Sequence, residues 1–226
     1  MGRARRLMAQ TVGAKGEVRI EQPDRVQRTI ARRSAEARAT IPDLELTAVV
    51  ELPGDAADPT TAALVRACAL ALREFPRANA SYRDGAFELY SRINIGVVIA
   101  AEDTYAIPTV LDADQKTVGE LTDELGRLAA RAVASELSAP ELAGATFTLW
   151  HAGIDGVTSA TPVIVPPQAA ALAAGAGREL PIVRHGAVEP GRAMTLTLAC
   201  DHRILYGTLA TRFLGRIKTL IQEGTP

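Results

Sequence analysis

Near the end of the chain, Met194-Thr195-Leu196-Thr197-Leu198-Ala199-Cys200 alternates apolar and hydroxyl or small residues with period two. From about Leu209 to Gln222, apolar residues instead recur at helical spacing. The first run predicts a strand and the second an amphipathic helix. Asp201-His202-Arg203-Ile204-Leu205-Tyr206-Gly207 joins them, so the strand must deliver His202 at its C-terminal end, just before the helix. A positioned imidazole is the commonest general base. A histidine that merely ends a strand has the same local sequence, and the residues alone leave both readings open.

Length and composition bound what can surround that turn. With 226 residues, 47% hydrophobic and a net charge of −1, the chain can bury a full core as one domain. No apolar run approaches the roughly 18 residues of a membrane span. The start Met1-Gly2-Arg3-Ala4-Arg5-Arg6 lacks the apolar core of a signal peptide, so a soluble, cytoplasmic protein is expected. Near-zero net charge argues against nucleic acid as a partner, and the early arginines read as a solvated arm. The two cysteines, Cys68 and Cys200, fall in apolar periodic segments and read as buried, inert thiols.

Residues 1–22 show no sustained periodicity and read as an arm, with Gly16 to Ile20 as an edge strand. A helix should start at Pro23-Asp24, bury a stripe of Val26, Ile30, Arg33 and Ala37, and end before Ile41-Pro42. Leu44 to Val50 alternates as a strand closed by Pro53-Gly54. Thr60-Thr61 can cap a second helix running to Pro76. A hairpin around Asp84-Gly85 follows, then Ile93 to Ile99 as one strand buried on both faces. Val118, Leu121, Leu125, Leu128 and Ala132 give a third helix the strongest period in the chain. Strands are expected at Ala145 to Trp150, Thr161 to Val165 and Ala169 to Ala174, then a hairpin containing His185 leads to the strand before His202. Mixed strands and helices in this order predict an α/β sandwich. No glycine-rich phosphate loop, no lipoyl-type segment and no G-x-S-x-G elbow of a serine hydrolase is present.

The segment Thr197 to Gly207, followed by Ala210-Thr211-Arg212-Phe213-Leu214, resembles the end of the catalytic domain of dihydrolipoamide acyltransferases. These are the E2 components of 2-oxoacid dehydrogenase complexes, and their signature there is D-H-R-x-x-D-G. The resemblance extends through Arg28-Thr29-Ile30-Ala31-Arg32-Arg33 and Thr40-Ile41-Pro42 to Gly144-Ala145-Thr146-Phe147-Thr148-Leu149 and Pro162-Val163-Ile164-Val165-Pro166-Pro167-Gln168-Ala169. Where E2 domains place His after the T-I-P, this chain has Asp43. Tyr105 to Val110 matches the family loosely, through Pro108.

What the resemblance implies is a two-layer chloramphenicol acetyltransferase-like fold over residues 23–226, assembled as a trimer or a multiple of three. The family's active sites lie in channels between subunits. It also implies His202 as the base that deprotonates the acyl acceptor, acetyl-CoA as co-substrate, no permanently bound cofactor, and no metal. Asp201, Arg203, Gly207 and Arg28 would support the site. Two departures stand inside the motifs. Trp150 occupies the place of the serine that donates to the tetrahedral oxyanion, and Tyr206 the place of the motif aspartate. Losing one oxyanion donor raises a barrier by about 2.7–4 kcal/mol. Tyr206, Trp150, His151, Thr148 or a backbone N–H are the candidate replacements or pocket walls. With about 20 residues ahead of the expected catalytic unit, no lipoyl domain is expected before it. The first expectation is therefore a stand-alone acetyltransferase of antibiotic biosynthesis, acetylating a tetronate-type hydroxyl on a small molecule. The alternatives are an E2 core served by a separate lipoyl protein, and a catalytically impaired trimeric scaffold.

Overall fold

The computed structural model describes residues 12–14, 16–52, 58–101 and 104–224. Arg3, Arg5 and Arg6 of the expected arm, and the Pro53-Gly54 turn, lie outside the described residues. The expected edge strand at Gly16 to Ile20 is reduced to a short ribbon. There β1 (Val12–Gly13) pairs with β2 (Gly16–Glu17), while Val18 and Ile20 are exposed and have no sheet to join.

Helix α1 (Arg25–Thr40) opens with a capping box in which the Asp24 carboxylate accepts from the Gln27 N–H and the Gln27 side chain accepts from the Asp24 N–H. Of its residues only Ala37 is buried. The expected stripe therefore does not reach the core: Val26 is half exposed, and Arg33 faces solvent. Strand β3 (Asp43–Leu52) leads to α2 (Thr61–Glu74), capped by the Thr60 hydroxyl. The hairpin of β4 (Ala80–Arg83) and β5 (Ala86–Leu89) turns through Asp84 and Gly85, both at positive φ, as an Asp-Gly two-residue turn requires.

The run expected as one strand at Ile93 to Ile99 is two. β6 (Ile95–Val97) joins the main sheet, whereas β7 (Ile99–Ala101) leaves it to pair with β8 (Thr104–Ala106). The chains part where Pro108, which accepts the Val97 N–H, has no N–H to return. After β9 (Thr109–Val110) comes α3 (Val118–Val133), with a Thr117–Glu120 capping box and Leu121, Leu125, Leu128 and Ala132 buried as their spacing predicts. Strands β10 (Phe147–His151), β11 (Ala170–Ala174), β12 (Arg178–Arg184) and β13 (Ala187–Asp201) precede α4 (Gly207–Gln222). Thr161 to Val165, expected as a strand, is irregular. Pro162 within it and Pro166-Pro167 after it cannot donate to a ladder.

Among the described residues the main sheet has seven strands, ordered β12-β13-β11-β10-β6-β9, with β3 on the other edge of β13. One face carries Leu46 and Val50 of β3, Leu196 and Leu198 of β13, Leu172 of β11, and Phe147 and Leu149 of β10. These pack with the buried residues of α2, α3 and α4 into one core. Phe213 of α4 ties the layers together, 5.7 Å from Phe75 beyond α2 and 6.0 Å edge-on from Phe147. The expected two layers of helices on a mixed sheet are thus present. The opposite face has a different lining: Thr148 and Trp150 of β10, Ala171 and Ala173 of β11, Thr195, Thr197 and Ala199 of β13, Thr47 and Val49 of β3. The segment 152–168 crosses part of this face. Ala176 N–H donates to the Val157 carbonyl, Thr161 Oγ1 donates to Glu45 Oε2, and Ile164 packs with Ile41 and Ala199.

Candidate active site

The turn after β13 is held by backbone and charge. β13 is paired on both edges up to its end, Cys200 with Ala170 of β11 and Asp201 with Asp43 of β3. Beyond that, His202 N–H donates to the Pro42 carbonyl at 2.9 Å, and the N–H groups of Ile204 and Leu205 both donate to the Asp201 carbonyl. Asp201 is 2% exposed, so its charge requires partners. Arg203 supplies them: its N–H donates at 3.0 Å, Nε at 2.9 Å and a terminal nitrogen at 2.7 Å. These bonds raise the Arg203 pKa, and its guanidinium also lies 4.7 Å over the Tyr82 ring. Ile204 and Leu205 are fully buried anchors on the core side. The result is a pinned turn whose histidine side chain points outward beside the exposed Tyr206. His202 is exposed, and among the described residues nothing hydrogen-bonds its imidazole.

Tyr206 is the N-cap of α4, with φ −73° and ψ 160°, and its side chain makes no cap bond. The motif aspartate that the resemblance places there would cap the helix. Tyr206 instead sets its ring edge-on to the His202 ring, with centroids 6.1 Å apart at 74°. Arg77 lies on the other side, 5.9 Å from the Tyr206 ring and 4.8 Å from Phe87. Arg77, Tyr82 and Phe87 are neighbours of the turn that no sequence periodicity marks. The alternation of Tyr82 and Phe87 across the Asp84-Gly85 hairpin was the only available sign. Gly207 begins α4, two residues before the expected helix start.

The other candidates are elsewhere. Trp150 is half-buried on the open face of the sheet, opposite Ala173, which in turn pairs with Thr197. From Thr197 to His202 is five strand residues, roughly 16 Å, and β10 is two strands from β13, roughly 10 Å. One chain therefore does not bring the indole to the imidazole. Thr148 is buried and donates to Gln168 Oε1 at 2.7 Å, so its hydroxyl proton is already used inside the protein. His151 faces away from Trp150: its Nδ1 is 2.9 Å from Thr61 Oγ1 at the start of α2. Burial lowers the His151 pKa, opposed by Asp58 nearby. Arg28 donates to the Pro23 carbonyl on exposed α1, with no contact to the turn. The buried Cys68 and Cys200 thiols are both pushed up to about 12, which makes them inert, as expected. Among the described residues no cluster of His, Cys, Asp and Glu suits a metal ion, and no helix is long and apolar enough to cross a membrane.

The family model described as 2-oxoacid dehydrogenases acyltransferase (catalytic domain) matches residues 56–225. The chain belongs to this acyltransferase family. Among its relatives, the dihydrolipoyllysine-residue acetyltransferase component of the Rickettsia bellii pyruvate dehydrogenase complex is 28% identical over 223 residues, covering 92% of this chain and 53% of that protein. The chain spans about half the length of the curated relatives it matches. The Azotobacter vinelandii dihydrolipoamide acetyltransferase superposes with a TM-score of 0.86 at 25% identity, covering 93% of this chain and 94% of that one. It was studied for the catalytic roles of a serine, a histidine and an asparagine, spaced in sequence as Trp150, His202 and Tyr206 are here. A chloramphenicol acetyltransferase superposes with a TM-score of 0.52 at 18% identity, over 84% of this chain and 94% of that one, and shares the fold.

Proposed function

We propose that this E2-family chain moves an acetyl group between coenzyme A and the thiol of a dihydrolipoyl group, with His202 as general base. The observation that carries the reading is the pinned turn that leaves the His202 imidazole exposed and free to meet a substrate. The relatives named above support a lipoyl thiol as the acceptor over the small-molecule hydroxyl expected on sequence. Neutral His202 takes the proton of the attacking thiol, the thiolate adds to the thioester carbonyl, and the imidazolium returns the proton to the departing thiolate. Acetyl-CoA acts as co-substrate, with no permanently bound group in the step. Because Trp150 lies far from His202 in one chain, the site takes its second wall from another copy, in a trimer or a multiple of three. Asp201 and Arg203 hold the turn, and Tyr206 and Trp150 border the acceptor.

One observation favours the second reading, a tetronate-type hydroxyl acceptor: a large indole stands where the family's oxyanion serine is found. The deciding experiment offers acetyl-CoA with dihydrolipoamide and, separately, with a hydroxymethyl tetronate, and follows release of free CoA. Preference for dihydrolipoamide supports the E2 reading, and the reverse preference supports the tetronate reading. Turnover of neither would leave the scaffold. His202→Ala should lower transfer by about 10²–10⁴-fold without unfolding the protein.

A further inference from the structure

A general base works only when its nitrogen is aimed, yet nothing among the described residues hydrogen-bonds the His202 imidazole. What meets the imidazole is the Tyr206 ring, edge-on at 6.1 Å and 74°. Tyr206 is 47% exposed, so the core does little to fix its ring. Arg77 does more: its guanidinium lies 5.9 Å from the Tyr206 ring and 4.8 Å from Phe87, and has no carboxylate partner among the described residues. Arg77 is itself anchored. It is the middle residue of the single turn Pro76–Ala78, closed by the Ala78 N–H on the Phe75 carbonyl and the Asn79 N–H on the Pro76 carbonyl. The buried Asn79 side chain then donates to the Tyr90 and Arg92 carbonyls, both at 2.9 Å. Phe87 faces Tyr82 across the β4–β5 hairpin, with centroids 6.0 Å apart, and Arg203 covers Tyr82 from the turn. The contacts close on themselves. They leave the turn at Arg203, cross the hairpin through Tyr82 and Phe87, and return through Arg77 and Tyr206 to His202.

We propose that Arg77 is a positioning residue for His202, holding the Tyr206 ring against the hairpin so that this ring sets the direction of the imidazole. A guanidinium suits the place because it is planar, always charged and attracted to ring faces, so one side chain can hold two rings at once. With its rotation narrowed, the imidazole meets the acceptor proton without first searching among rotamers. The proposal rests on the acyl-transfer reading, and it adds a residue outside the turn on which the rate of that step depends. It also gives Tyr206 a part that the motif aspartate, having no ring, would not play.

The measurement is kcat and both KM values with acetyl-CoA and dihydrolipoamide. Arg77→Met keeps the apolar stem and removes the charged plane, and should lower kcat about 2–3-fold with both KM values unchanged. Tyr206→Leu loses both ring contacts and should lower kcat about fivefold, of which Tyr206→Phe should recover most. Because Arg77 acts through the Tyr206 ring, the double variant Arg77→Met/Tyr206→Leu should be no slower than Tyr206→Leu alone. Additive losses, an unchanged kcat in Arg77→Met, a rise in either KM in its place, or a Tyr206→Phe as slow as Tyr206→Leu would each overturn the proposal while leaving acyl transfer intact. Carbon-13 NMR of histidine-labelled protein reads the contact without turnover, the His202 signal being assigned by its loss in His202→Ala. That signal should move in Tyr206→Leu and, in the same direction, in Arg77→Met, while the His151 and His185 signals stay. A His202 signal indifferent to Arg77 rejects the proposal. If the wild type transfers no acetyl group, the acyl-transfer reading fails and this spectrum alone decides whether Arg77 sets the imidazole. Circular dichroism checks that each variant is folded.

Discussion

Replacing Tyr206 by asparagine and, separately, by alanine tests the physical meaning of the altered motif position. Tyr206 has the extended dihedrals of an N-cap, and its carbonyl already accepts the Ala210 N–H, but its side chain leaves the first-turn N–H groups uncapped. Both substitutions remove the same ring contacts. The edge-on contact to His202 is worth roughly 0.5–1.5 kcal/mol in general, and at the low end here because Tyr206 is 47% exposed and His202 is also exposed. The Arg77 contact, at 5.9 Å, adds about 0.5 kcal/mol or less. Only asparagine then restores a cap, worth about 1 kcal/mol relative to alanine. Tyr206→Ala should lose about 1 kcal/mol, while Tyr206→Asn should stay near the wild type. For a chain of this size the two variants should differ by about 2–4 °C in Tm. Thermal unfolding at one fixed protomer concentration reads the difference, since any assembly makes Tm concentration-dependent. Equal stability of the two variants would refute the capping argument.

Three other outcomes are expected. Gly175→Ala should destabilise by about 1–3 kcal/mol in urea unfolding, because the added Cβ would lie 2.0 Å from the Thr158 carbonyl oxygen and push segment 152–168 off the sheet. His151 has a folded-state pKa below its ordinary 6.5, so below that pH the unfolded chain takes up a proton that the native state resists. Stability should therefore fall as pH drops from about 6.5 toward the lower folded value, and His151→Gln should flatten that part of a stability–pH curve. Light scattering at micromolar concentration should give a trimer or a multiple of three, and a strict monomer would remove the two-copy site.

The fold was legible wherever local chemistry and long-range packing agreed. Asp24 and Thr60 cap the helices they were expected to open, and the third helix buries the residues its period marks. Asp84-Gly85 and His185-Gly186 adopt the left-handed turns of their hairpins, with φ of 49° and 81°, and 51° and 83°. Failures came where apolar composition imitated a ladder. Val163, Ile164 and Val165 look like a strand, yet the prolines around them cannot donate, and Val163 is 40% exposed. Ile93 to Ile99 reads as continuous because periodicity does not register the proline on the partner strand. In α1, helical propensity and a capping box suffice to form the helix, although its arginines leave only Ala37 to bury.

The candidate site was legible in halves. The turn around His202 is compact in sequence, so the Asp201–Arg203 lock, the buried Ile204 and Leu205, and the outward histidine all follow from seven adjacent residues. Trp150 was legible as a departure, but its distance from His202 was not. Strand register supplies that: the two lie two strands apart and five residues out of step, on a sheet whose pairings leave no slack to close the gap. Arg77 was the least visible, since it follows Pro76 in a single irregular turn and gains its place only when the Phe87 and Tyr206 rings converge on it. The difference is one of dimension. A motif records what neighbours along the chain, whereas a cation between two rings is a property of three segments meeting. For that reason Arg77 emerges only after folding, although it adjoins the one turn the sequence marks most clearly.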